Sequence, residues 1–199
     1  MKKRLFVSIA VGLTLFMVLS GQTTHKYLID KNDIIIKGTS NLHDWEMEVE
    51  EVEGSMDADI NGNKILYINS LALNVNVNSI KSGKSLMDKK TYNALKSDLY
   101  PEIHFSLSEI SDIINNEKGQ LVTANGILSI AGIRKSIHIK ALGSTDNNGD
   151  QSFTGSKSLK MSDFNIEPPT AILGTLKTGD EVTVEFDITF KRYEHLTKK

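Results

Sequence analysis

Glu181-Val182-Thr183-Val184-Glu185-Phe186-Asp187-Ile188-Thr189-Phe190 decides the fold class of this chain. Apolar side chains hold the even positions from Val182 to Phe190 and polar ones hold the odd positions. Consecutive side chains of a strand point to opposite faces, so the segment buries one face and wets the other. The same alternation recurs upstream in Leu71-Ala72-Leu73-Asn74-Val75-Asn76-Val77, in Ile103-His104-Phe105-Ser106-Leu107-Ser108 and in Ile137-His138-Ile139-Lys140-Ala141. Trp45, Met47 and Val49, set against Glu46, Glu48 and Glu50, give a fifth case.

Turn chemistry separates these runs. Asn61-Gly62-Asn63 suits a tight hairpin, Asn147-Asn148-Gly149-Asp150 a longer one, and Ala131-Gly132 divides two apolar runs. The pattern predicts eight strands, over 33–39, 43–60, 64–78, 102–113, 119–130, 134–145, 151–161 and 179–192. Eight antiparallel strands with one apolar face each bury that face by stacking or by closing, and a closed all-β barrel is the expectation. One stretch breaks the pattern: from Ser85 to Ser97, Met87, Thr91, Ala94 and Leu95 recur at helical spacing, with Ser85 and Asp88 as an N-terminal capping pair. This predicts one short helix between strands three and four. The stretch from Asp163 to Gly174 is apolar for a loop, with Phe164, Ile166, Ile172 and Leu173.

The first residues have a separate logic. Lys2, Lys3 and Arg4 precede an apolar run from Leu5 to Leu19, then Ser20-Gly21 and a switch to polar sequence. That is the layout of a cleaved secretory signal, and the run is too short for a bilayer crossing of about 20 apolar residues. Residues 1–21 are therefore expected to be removed and 22–199 to form one exported domain without a stable membrane anchor. With no cysteine, the chain has neither disulfides nor a lipidation site at the cut. Loss of the three basic residues leaves a net charge near −5, which argues against nucleic acid as a partner.

Candidate chemistry is sparse. Gly83-Lys84-Ser85 resembles the end of a phosphate loop, but Asn78 stands where that motif needs glycine. His43 and Asp44 on one strand point to opposite faces, while His104 and His138 share faces with Ser and Lys, so the histidines read as surface and no metal site is predicted. No cysteine nucleophile and no Gly-x-Ser-x-Gly elbow are present, and no catalytic residue is assigned. Trp45, the single tryptophan, stands on an apolar face as core filler or as part of a ligand wall.

Several segments together resemble the YceI-like family. They are Ser79-Ile80-Lys81-Ser82-Gly83, Tyr100-Pro101-Glu102-Ile103-His104-Phe105, Gly126-Ile127-Leu128-Ser129-Ile130-Ala131-Gly132-Ile133-Arg134-Lys135 and Ser162-Asp163-Phe164, in the family's order, with the likeness spanning about Asp33 to Phe190. Met87 and Met161 stand where arginines are usual. The resemblance implies a lipocalin-like, eight-stranded antiparallel barrel in the periplasm. Its interior would hold a long isoprenoid chain, a polyprenyl lipid or a quinone tail, with no other cofactor and without catalysis, and some members are homodimers. On that basis the inward rows Trp45 and Met47, Leu73 and Val75, Phe105 and Leu107, Ile137 and Ile139, and Phe186 and Ile188 are the expected ligand-binding residues. The competing expectation is a packed barrel that serves a structural or interaction role and holds no small molecule.

Overall fold

The computed structural model describes residues 24–171 and 175–193. The expected signal segment lies outside the described residues, as do Ile172 and Leu173 of the apolar loop. In chain order the elements are β1 (Thr24–Ser40), β2 (Trp45–Val49), β3 (Val52–Asn61), β4 (Lys64–Asn76), β5 (Ile80–Lys81), α1 (Ser85–Leu95), β6 (Glu102–Asn116), β7 (Gly119–Ile130), β8 (Ile133–Thr145), β9 (Gln151–Lys160), β10 (Thr170–Ala171) and β11 (Leu176–Arg192). Two single 3-10 turns, Val77–Ser79 and Met161–Phe164, complete the described elements.

Every strand pairing is antiparallel, and the sheet closes where β1 meets β11, with Ile34 opposite Phe186 and Ile36 opposite Val184. The ring contains eight strands: β1, β3, β4, β6, β7, β8, β9 and β11. The second strand expected from the sequence is interrupted. Residues 43–60 form β2 and β3, broken at Glu50-Glu51, whose amides bond the Ser79 carbonyl (3.1 Å) and hydroxyl (3.1 Å) instead of a strand partner. β2 carries the upper half of this wall between β1 and β5, and β3 carries the lower half between β1 and β4. Opposite them, β4 and β5 are broken at the Val77–Ser79 turn. The first strand is longer than 33–39 because it begins at Thr24 and pairs with both β3 and β11.

The hairpin at Ala131-Gly132 has φ of 48° and 82°, the double positive φ of a type I′ turn, which matches the right-handed twist of β7 and β8. The helix lies where it was predicted, after β4 and before β6, but its start differs from the expected capping pair. Lys84 is the N-cap and makes no side-chain cap bond. Asp88 reaches back past the helix start to Ser82, accepting from its amide at 2.8 Å and its hydroxyl at 2.6 Å. The helix ends as Lys96 turns left-handed and Ser97 N–H bonds the Tyr92 carbonyl at 3.0 Å.

The two ends of the barrel are built differently. At the end holding the Gly62-Asn63 turn and the start of β1, the interior is filled: Tyr27, Met56, Ala58, Ile65 and Phe190 are at most 2% exposed. Phe153 and Phe190 meet edge to face with centroids 6.1 Å apart. Two buried amides there are satisfied, while Asn32 Oδ1 on β1, opposite Ile188, is buried without a hydrogen-bond partner among the described residues. Gln120 accepts from Ile65 N (2.6 Å) and donates to Ile65 O (3.0 Å), while Gln151 donates to Gly149 O (2.8 Å) and accepts from Thr145 Oγ1 (2.9 Å). This end is a packed floor. The other end is covered by α1, the loop at 41–44 and the segment from Met161 to Thr170.

Candidate functional site

Above the floor the barrel encloses a cavity of about 570 Å³. Its wall is built from the inward rows of the ring strands and from Met87, Thr91, Ala94 and Leu95 of α1, the four residues that share the helical spacing. All ten residues expected to bind ligand lie on this wall: Trp45, Met47, Leu73, Val75, Phe105, Leu107, Ile137, Ile139, Phe186 and Ile188. Strand alternation alone brings them together, because each row faces the same interior once the sheet closes.

Why the interior is not simply filled is visible at two cross-strand pairs and one diagonal contact between neighbouring strands. Gly38 faces Trp45, and a Cβ at Gly38 would lie 2.2 Å from Trp45 Cζ2. At Gly155, opposite Phe186, it would lie 2.7 Å from that ring, and at Gly126 it would lie 2.3 Å from Phe105 Cε2. Each ring therefore lies flat over a glycine on the wall instead of projecting across the barrel. Trp45 is fixed further by its indole N–H, which donates to Thr39 O at 3.0 Å. Of the two readings of this residue, the ring is a cavity wall.

The mouth is tied on both sides. Tyr92 of α1 places its hydroxyl 3.0 Å from the carbonyls of Asn78 and Ile80 and accepts from Lys81 Nζ at 2.8 Å. Lys90 of α1 reaches across to Thr170 O at 2.6 Å. Opposite α1, Phe164 and Ile166 are buried against Leu128 and Ala131, which holds the 161–166 segment over the rim. Asp180 accepts from the Ser162 hydroxyl (2.6 Å) and amide (2.8 Å), and these bonds hold its carboxyl below the ordinary value. Burial alone would raise Asp88, but the two bonds from Ser82, with Lys81 nearby, bring it below its ordinary value.

The histidines are outside this arrangement or at its edge. His104 and His138 are exposed and bond Asn74 and Asn125. His43 is not on a strand, as the sequence suggested, but in the exposed loop between β1 and β2, where it borders the cavity mouth. Among the described residues no cluster of three His, Cys, Asp or Glu is placed to hold a metal ion. Sequence reasoning missed the lysines of the cavity, Lys84, Lys90, Lys157 and Lys160. Lys157 carried a signal, since it falls in phase with Phe153 and Leu159 on β9.

A closed antiparallel barrel with a packed floor, a helix-covered mouth and an apolar interior defines a lipocalin-like container. The chain belongs to the YceI-like family, whose domain matches residues 27–190. Solved structures share the fold at low identity. BcnA of Burkholderia cenocepacia is 17% identical with a TM-score of 0.63, over 79% of this chain and 95% of that one. A polyisoprenoid binding domain from Saccharophagus degradans, implicated in plant cell wall breakdown, is 13% identical with a TM-score of 0.65, over 84% and 98%. The Campylobacter jejuni YCEI protein is 16% identical with a TM-score of 0.59, over 98% and 100%. No curated protein matches the sequence. Among the described residues no helix is long and apolar enough to cross a membrane.

Proposed function

We propose that this protein is an exported, periplasmic carrier or store for a long isoprenoid lipid, a polyprenyl chain or a quinone tail, and that it performs no covalent chemistry. The observation that carries this reading is the cavity itself: about 570 Å³ of space walled by apolar side chains from the mouth at α1 down to the floor. The ten inward residues from Trp45 to Ile188 are the proposed contacts with the tail. A chain that loses on the order of 300 Å² of apolar surface there gains roughly 7 kcal/mol before the cost of ordering it. Such a site rewards any long apolar chain. The isoprenoid assignment is supported by membership of the YceI-like family and by the polyisoprenoid binding domain that shares the fold.

The test is to purify the protein from its native compartment and analyse a solvent extract by mass spectrometry. The expected result is an isoprenoid lipid in near-stoichiometric amount and an N-terminus shortened near Ser20-Gly21. An extract free of lipid overturns the carrier reading, and an intact N-terminus in the membrane fraction overturns the export reading.

A further inference from the structure

The cavity wall is apolar except at a few points, and its charged members are of one sign. Lys84, Lys90, Lys157 and Lys160 border the cavity, with His43 at the rim, and no Asp or Glu does so among the described residues. Two of these lysines are ordinary. Lys84 and Lys160 are exposed at the rim, where water solvates them. Lys90 is occupied by the Thr170 carbonyl.

Lys157 is different. It stands in the inward row of β9 between Gly155 and Leu159, opposite Val184 of β11, and it is partly buried. Among the described residues it has neither a hydrogen-bond partner nor an ion-pair partner within the protein. Taking an ammonium into an apolar enclosure without a counter-charge is unfavourable, so buried cations are normally paired. A long flexible lysine lays its stem along the wall and lifts its head toward the mouth. Along β9 Lys157 stands three residues before Lys160 of the rim, so its ammonium borders the cavity close to the mouth.

We propose that the occupant is an amphiphile with an anionic head, a phosphate or carboxylate, and that Lys157 is the residue that selects it. This rests on the carrier reading above and adds to it the class of head group. An ammonium donates a charge-assisted hydrogen bond to an anionic oxygen, which is roughly twice as strong as a bond between neutral groups. Lys84 and Lys160 add a positive field at the entrance. A neutral head would leave the Lys157 charge without its counter-ion.

The experiment compares two probes with the same tail, farnesyl phosphate and farnesol, titrated into delipidated wild-type protein and into K157M, whose side chain is apolar and of similar length. Wild type is expected to bind the phosphate at least about tenfold more tightly than the alcohol. K157M is expected to lose that preference with its farnesol affinity kept, and K157R to retain it. Retained farnesol binding reports that the variant is folded, and K157Q replaces K157M should the latter fail to fold. Equal affinities in wild type, or an unchanged preference in K157M, overturn the proposal while leaving the carrier reading intact. Inorganic phosphate binding as tightly as farnesyl phosphate also overturns it, because the site would then hold a free anion. Failure of both farnesyl probes to bind removes the carrier reading and this proposal together.

Discussion

Enlarging an inward side chain should have opposite consequences at the two ends of the barrel. Val75 is on the cavity wall, between Val52 and Ile103 on its neighbouring strands, whereas Ala58 is 0% exposed in the packed floor. Val75→Phe adds about four carbons that enter existing space, so the lipid-free protein should be unchanged or stabilised, with a gain of at most about 3 kcal/mol if every added carbon is buried. Ala58→Leu adds about three carbons where no space exists and should cost about 1–3 kcal/mol through overpacking. Binding responds in reverse. The ring introduced by V75F displaces roughly its own volume of tail, so affinity should fall by about 3 kcal/mol, on the order of a hundredfold in Kd, while A58L leaves affinity nearly unchanged. Urea unfolding of delipidated protein and titration with a soluble isoprenoid measure the two quantities. Equal destabilisation by V75F and A58L would refute the reasoning, because it would mean that the wall at Val75 is packed as tightly as the floor.

Two further outcomes follow from the geometry. Gly126→Ala places a methyl group where Phe105 lies, 2.3 Å from Cε2, so the ring should swing into the cavity; thermal unfolding should show a loss of about 1–3 kcal/mol and titration a weaker grip on apolar chains. Asp88 and Asp180 are both held below their ordinary values in the folded state, so their contribution to stability is complete above the unfolded carboxylate value, about pH 4, and is lost as pH falls through the lower folded values. Amide exchange at Ser82 and Ser162, which donate to these carboxylates, should therefore accelerate in acid before exchange at Ile65 of the floor does.

The parts of the fold that were legible in the sequence are those where one strand keeps one phase. β11 holds its inward row from Val182 to Phe190 without interruption, and its reading transferred directly to the barrel wall. β1 does not. Tyr27 and Ile29 face inward at odd positions, a bulge intervenes between Ile29 and Lys31, and Ile34 and Ile36 continue at even positions. A period-two template sees two weak fragments there and keeps only the second. The break between β2 and β3 has the same cause, with Met47 and Val49 buried at odd positions and Met56 and Ala58 at even ones. The helix was found through its apolar spacing, but its cap was misplaced because Asp88 bonds Ser82, six residues back, and not a residue of the first turn.

The site was legible to the same degree as the strands that build it, and the two features that qualify it were not. Glycines opposite Trp45 and Phe186, and diagonal to Phe105, mean little until register brings them against those rings. Lys157 shares the parity of Phe153 and Leu159 along β9, but a charged residue in that short Ser-rich strand reads as wet until β9 closes against β8 and β11.

These two features are connected through the division between floor and cavity. A small barrel must bury enough apolar surface to fold, yet a container must leave part of its interior open, and a uniformly looser core would weaken the whole molecule. Here Tyr27, Met56, Phe153 and Phe190 concentrate close packing in the floor, so the upper wall is released from filling space. There the glycines draw the aromatic rings back against the sheet, and α1 closes the mouth through single anchors at Tyr92 and Lys90. Only in such an enclosure does a lone inward ammonium gain selective power, since the same lysine on a wet face would be solvated and indifferent to its neighbour. The packed end gives the cavity a stable frame, and the open end sets Lys157 among apolar neighbours, where the proposed anionic head would find its counter-charge.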